Sequence, residues 1–196
     1  MNIEKNELAA AMQRWGFLED PIPAAAMRWI DTFLEAYGSD LKSPEEARPF
    51  IADLRAEACV IPALELERLR TREVLFFLDT VGQYVDSQAE LRGLPLEHDL
   101  AAMAKEFGIS AQDARYATRM AITGKAAGPA LELLFPLLGH DRILIRIGAV
   151  NSMLLHGRGL ETIKYGPGGV PFEPIHGTRP EEEREPSAAE GDEPGS

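Results

Sequence analysis

The sequence predicts an all-α fold, a multi-helix bundle, and three observations carry the prediction. Apolar residues recur at helical spacing through about the first 160 positions. Helix-starting and helix-stopping residues fall between these runs, and no run keeps the strict alternation of a half-buried strand. "RILIRI" comes nearest to a strand. It continues into "GAVNSMLLH" with Ile143, Ile147, Val150 and Leu154 near helical spacing, so it reads as a helix that Gly148 weakens.

Taken in order, Ile3, Leu8, Met12 and Trp15 with Phe17 predict a first amphipathic helix, closed by Gly16 and the "EDPIP" break. Met27, Ile30, Phe33, Leu34 and Tyr37 mark a second, stopped at "GSD". The third has Ser43 as N-cap, Pro44 at the first helical position, and Glu45 and Glu46 at the positive end of the helix dipole. Pro49 stands early in that helix, and a first turn tolerates proline. "IPALELERLRTREVLFFLDTVGQYVDSQAELRG" reads as one or two helices with Leu75, Leu78, Val81 and Val85 on one face. "LEHDLAAMAKEFG" and "SAQDARYATRMAI" follow, separated by Gly108 as a stop and Ser110 as N-cap. Asp113, three residues on, makes a weak capping box.

The organisation expected is an N-terminal amphipathic helix over 1–20, a first helical subdomain over 24–95 and a second over 96–160. Residues 165–196 are rich in Gly, Pro, Glu and Ser with almost no apolar mass. Such a segment buries too little surface to offset the entropy of ordering, and it reads as a disordered acidic tail. That tail holds eight acids against two arginines, a net of −6 out of −12, which leaves −6 on residues 1–164. An acidic body argues against sequence-blind binding of a polyanion, while leaving room for a small local basic site. The longest apolar runs fall well short of the roughly 20 residues that cross a bilayer, so no membrane association is expected. Met1 to Phe17 lacks a signal-peptide pattern, and Cys59 is the only cysteine, so no intrachain disulfide is possible; a cytoplasmic setting follows.

Catalytic chemistry is hard to find. His98, His140, His156 and His176 are scattered without metal-ligand spacing, and no nucleotide loop, zinc motif or nucleophile elbow is present. No metal, no cofactor and no catalytic residue is expected, and a binding module is the better reading.

The informative stretch is Thr118 to Ile147, "TRMAITGKAAGPALELLFPLLGHDRILIRI", in which a loop of small residues and one lysine separates two apolar runs. Arg119, Ala121, Thr123, Gly124, Pro129, Leu131, Leu137, Leu138, Gly139, Arg142, Leu144, Arg146 and Ile147 fall in order, without a gap, on a pattern that resembles the anticodon-binding region of bacterial glutamyl-tRNA synthetases. In that family an Arg-x-Ala-x-Thr-Gly segment leads to a Pro-initiated helix ending in Leu-Leu-Gly, then to a charged turn and another helix. The helices upstream, from about residue 25, have the order and lengths of the family's C-terminal helical domains. The resemblance implies that the loop meets the tRNA anticodon. Arg119 would read a base edge; Gly128 and Pro129, with Leu131, would form the surface on which an unstacked base rests. Lys125 would add a mobile charge, with Thr123 and Arg142 beside them. Proteins read single-stranded RNA loops in this way, by splaying, stacking and hydrogen-bonding bases.

Plainer roles stand beside these. Thr123-Gly124 serves as a helix C-cap and Gly128-Pro129 as a helix start. Arg119 is as readily paired with Asp113 or Glu132, and Arg142 and Arg146, four apart, read as solvated or ion-paired. Trp15 and Trp29 read as packing residues. Glu132 departs from the family's aromatic or aliphatic residue and would repel phosphates. Nothing here resembles the family's ATP-binding catalytic domain, so the chain is not expected to be an enzyme on its own. The function expected is a stand-alone anticodon-binding-like domain that binds tRNA, tRNA(Glu) first, or acts with a separate synthetase catalytic subunit. The alternative is a helical protein-interaction module that has lost RNA binding.

Overall fold

Helix signals of the kind just described organise the whole of the structure, a computed structural model that describes residues 3–156. Among those residues there are eight α-helices and no strand: α1 (Lys5–Arg14), α2 (Ala24–Tyr37), α3 (Pro44–Arg55), α4 (Ala63–Leu69), α5 (Arg72–Ser87), α6 (Leu96–Glu106), α7 (Ala111–Thr123) and α8 (Leu131–His156). A short 3-10 turn, Gly38–Asp40, follows α2. The tail expected over 165–196 lies outside the described residues.

Local chemistry explains where these helices begin. The hydroxyl of Thr71 accepts from the Val74 N–H at 3.2 Å, which divides the long apolar stretch into α4 and α5. Ser110 caps α7 through the Asp113 N–H at 3.0 Å, and its own hydroxyl donates to the Asp113 carboxylate at 2.6 Å. Asp113 is too short to complete the reciprocal capping box, so it holds the cap from the side. Ser43, in contrast, makes no side-chain cap. The start of α3 is held instead by the Lys42 N–H, which donates to the Glu46 carboxylate at 2.8 Å. Pro49 lies beyond the first turn, and α3 runs through it.

Two corrections concern the last helix. It begins at Leu131, so Pro129 belongs to the loop and not to the first turn. Gly139 (φ 77°, ψ 166°) then breaks the helical path and leaves two helical halves joined at a kink. Gly148 is exposed and does not interrupt the second half.

The sequence pattern puts a long apolar element last, and the fold uses it as a spine. α8 packs against α2, α3, α4, α5 and α7. Phe33, Phe77, Phe135, Ile30, Leu78 and Ile51 are fully buried in one cluster that runs through both proposed subdomains. Each such side chain stabilises the fold by about 1.5–3 kcal/mol. Trp29, Phe33, Tyr37 and Phe50 form an aromatic ladder, two stacked pairs and one tilted, with centroids 5.5, 5.1 and 5.2 Å apart, that leads from the kink of α8 to the middle of α3. Trp15 and Trp29 are packing residues, as their spacing predicts.

Candidate nucleic-acid interface

The α7–α8 corner is built from the C-terminal end of α7 outward. Gly124 caps that helix in the left-handed conformation (φ 68°), its N–H donating to the Met120 carbonyl at 2.8 Å. A Cβ at this position would lie 2.1 Å from the Val60 carbonyl oxygen, so only glycine fits. The α3–α4 loop is thereby pressed onto the end of α7. Thr123 donates to the Arg119 carbonyl at 2.7 Å and accepts from the Lys125 N–H at 3.1 Å, which turns the chain out of the helix. Gly128 (φ 150°) makes the second bend, again in a region that favours glycine.

These bends enclose an open pocket of about 290 Å³, near the lower end of the roughly 300–1,000 Å³ usual for ligand sites. Phe50, Leu54 and Leu134 supply apolar lining, and Arg119, Thr123, Lys125, Gly128 and Pro129 all border it. Five of the seven predicted contacts are therefore gathered at one cavity. Arg119 is half-buried and donates to the Pro129 carbonyl at 2.6 Å, pairing with neither Asp113 nor Glu132. The bond ties the arginine to the loop while four further N–H donors of its guanidinium remain. Burial lowers the Arg119 pKa, and the Tyr37 and Glu132 charges act in the opposite direction. Lys125 reaches across to Asp53 at 2.8 Å, with its ammonium 5.8 Å from the Phe50 ring centroid.

Two predicted contacts go elsewhere. Leu131 is 4% exposed and belongs to the core, so it supports the corner from beneath and offers no surface to a base. Arg142 lines a different hollow, where its Nε donates to the Arg55 carbonyl at 3.0 Å.

The pocket also holds groups that spacing did not single out. Arg146 is 2% exposed, neither solvated nor ion-paired, and lines the cavity from behind. Its guanidinium donates to the carbonyls of Ile122, at the end of α7, and of Asp53 and Ala56, at the end of α3, the latter two at 2.6 Å each. One cation thus satisfies the negative ends of two helices at once. Its Nε has no partner among the described residues, and burial lowers its pKa. The signal was present: residue 146 stands three after Ile143 and four before Val150, on the apolar face. Cys59 donates to the Ala121 carbonyl at 3.4 Å, and burial raises its pKa, as it does that of Tyr37. Both residues sit on the pocket lining.

The described residues thus form a helical bundle with a small, arginine-bordered pocket at the α7–α8 corner, walled on its other side by α2, α3 and the α3–α4 loop. The chain belongs to the anticodon binding domain family, whose model matches residues 8–150. It is of the glutamyl-tRNA synthetase type: a glutamate–tRNA ligase of Akkermansia muciniphila is 30% identical over 132 residues, which are 67% of this chain and 28% of the ligase. The chain therefore spans well under a third of the relative's length.

Proposed function

We propose that this chain binds tRNA, with an unpaired anticodon nucleotide entering the α7–α8 pocket. The observation that carries the reading is the convergence of Arg119, Thr123, Lys125, Gly128 and Pro129 on one open cavity in a member of an anticodon-binding family. In this reading the unengaged Arg119 donors meet base-edge acceptors, and the Gly128–Pro129 bend lets the base approach the backbone closely. Lys125 exchanges its exposed Asp53 partner for a phosphate. Such a surface pair is held by only about 0–1 kcal/mol, so the exchange is inexpensive. The preferred RNA is tRNA(Glu), and aminoacylation is carried out with a separate synthetase catalytic subunit, in the cytoplasm.

The test is tRNA binding at about 50 mM salt, where electrostatic association is strong. Wild type is expected to bind, and Arg119→Ala to bind at least about tenfold more weakly, the effect of losing one good base contact. Absence of wild-type binding, or an unweakened Arg119→Ala, refutes the reading. Charging of tRNA(Glu) on addition of a glutamyl catalytic subunit tests the wider role.

One observation favours the protein-interaction alternative. Val60, on the pocket-lining loop, and Leu64, in the first turn of α4, are 79% and 81% exposed. A protein partner that survives RNase treatment and is lost with Leu64→Asp would establish it.

A further inference from the structure

Arg142 was expected at the α7–α8 corner, and its actual surroundings are informative. It lines a hollow of about 340 Å³ together with Arg55, Trp29 and Gly139. A second hollow of about 290 Å³ shares Trp29, Pro136 and Gly139 with the first and is lined by Arg28, Arg92 and His140. The two form one groove along the Gly139 kink of α8. Four guanidiniums and an imidazole line it, against the single carboxylate of Glu90.

None of these four arginines is ion-paired among the described residues; the ion-paired cations, Lys5, Arg70, Arg115 and Lys125, line neither hollow. In a chain with 32 acids against 20 lysines and arginines, this cluster runs against the overall charge. Three of the arginines are held by backbone carbonyls, a hydroxyl or a ring, and the Arg28 side chain makes no such contact among the described residues. Arg142 donates to the Arg55 and Leu138 carbonyls at 3.0 and 3.3 Å, and Arg92 donates to Thr32 and, at 3.5 Å, to the Arg28 carbonyl. The Arg55 guanidinium lies 5.4 Å from the Phe17 ring centroid. Anchoring of this kind fixes position and leaves the charge uncompensated, which suits planar donor forks to phosphate oxygens.

The groove and the pocket share no lining residue, yet both border the C-terminal end of α3, the pocket through Asp53 and Leu54 and the groove through Arg55. Arg142 and Arg146 are one turn apart on α8 and grip the same end of α3, one through Arg55 and the other through Asp53 and Ala56. From Arg146 to Gly139 the helix advances about 10 Å, enough for two or more successive phosphates. Trp29 stacks on Phe33 and donates its indole N–H to the Leu137 carbonyl, so it offers no platform for a base.

We propose that this groove is a phosphate track: it receives the sugar–phosphate backbone of the RNA whose unpaired base occupies the Arg119 pocket. The inference rests on that reading of the pocket. The track positions the RNA and carries no sequence preference.

The test uses the full chain and a tRNA transcript, with Kd measured from about 50 to 300 mM salt. Arg28→Gln and Arg55→Gln are the variants of choice, because neither side chain hydrogen-bonds to the fold. Each is expected to lower the magnitude of the log K against log salt slope by about 0.7–0.9, with similar weakening on tRNAs of different anticodon. Lys105→Gln on α6 is expected to leave the slope unchanged. Melting curves establish that each variant is folded. Wild-type slope and Kd in both arginine variants, with Arg119→Ala still weakened, would overturn the track and leave the pocket reading standing. An equal loss in Lys105→Gln would also overturn it, as a general charge effect. Altered slopes with an unweakened Arg119→Ala would keep the track and remove the pocket, and a wild type that binds no tRNA would end both.

Discussion

Replacing Arg146 with methionine separates the buried guanidinium from the space it fills. Methionine keeps most of the apolar volume and removes every donor. The carbonyls of Ile122, Asp53 and Ala56 then lose their partner. A buried acceptor left unpaired costs about 1–3 kcal/mol. Asp53 and Ala56 are exposed residues, so their two carbonyls fall at the low end of that range, while Ile122 is fully buried. Against this, taking an unpaired cation out of the interior relieves part of its desolvation cost. The balance is a loss of about 2 kcal/mol or more. For a domain of this size that corresponds to a melting temperature lowered by at least about 4 °C. Arg146→Lys, which keeps the charge and loses the fork, is expected to fall between the two. Thermal unfolding followed by circular dichroism measures all three proteins. A methionine variant that melts with wild type, or above it, would show that the helix ends of α3 and α7 hold together without the guanidinium, and the account of the pocket walls would fail.

Other perturbations follow from the same geometry. Gly124→Ala forces a left-handed non-glycine residue and a Cβ against the Val60 carbonyl. Its cost is expected to exceed about 2 kcal/mol in denaturant unfolding, against about 1–2 kcal/mol for Gly93→Ala, where nothing lies within 4 Å; equal costs would mean that Val60 yields. Asp53→Asn removes a rim carboxylate whose pair with Lys125 is exposed on both sides. It is expected to tighten tRNA binding several-fold with stability changed by less than about 1 kcal/mol, and weaker binding would contradict the rim assignment. Tyr84 donates to Asp99 at 2.6 Å; burial, then that bond, pushes the phenol up from 10.0 to about 12, and the same bond first, with His98, lowers Asp99 from 3.8. The stabilisation is therefore complete below pH 10 and lost as pH rises toward 12, and on the acid side it is lost as pH falls through and below 3.8. The stability gap between wild type and Tyr84→Phe should be widest between about pH 5 and 10 and narrow at both ends; a gap independent of pH would exclude the bond as its source.

Much of this was legible in the sequence because it is local. Helical period, the Ser110 cap and the Gly124 stop are each decided within a few residues of chain, and the structure repeats them. The loop pattern also placed Arg119, Thr123, Lys125, Gly128 and Pro129 together, since all lie within eleven positions. What escaped depends on chain distant in sequence. Leu131 is turned inward by α8 packing on the core, and Arg142 is drawn aside by the carbonyl of Arg55, 87 residues away. Arg146 read as a solvated or ion-paired surface residue because that is the common fate of a helical arginine. Its actual partners are carbonyls at the ends of two other helices, and no one-dimensional pattern announces them. Tyr37 and Phe50 reach the pocket only because α2 and α3 meet there.

The lateness of the spine has a consequence for biosynthesis. Every helix that α8 touches is translated before it, and their apolar faces have no lasting cover until Leu131 to His156 has emerged. A ribosome paused upstream of that segment would display a ready client for chaperones, and frameshifts within it should send the product to proteolysis instead of yielding a shortened stable fold.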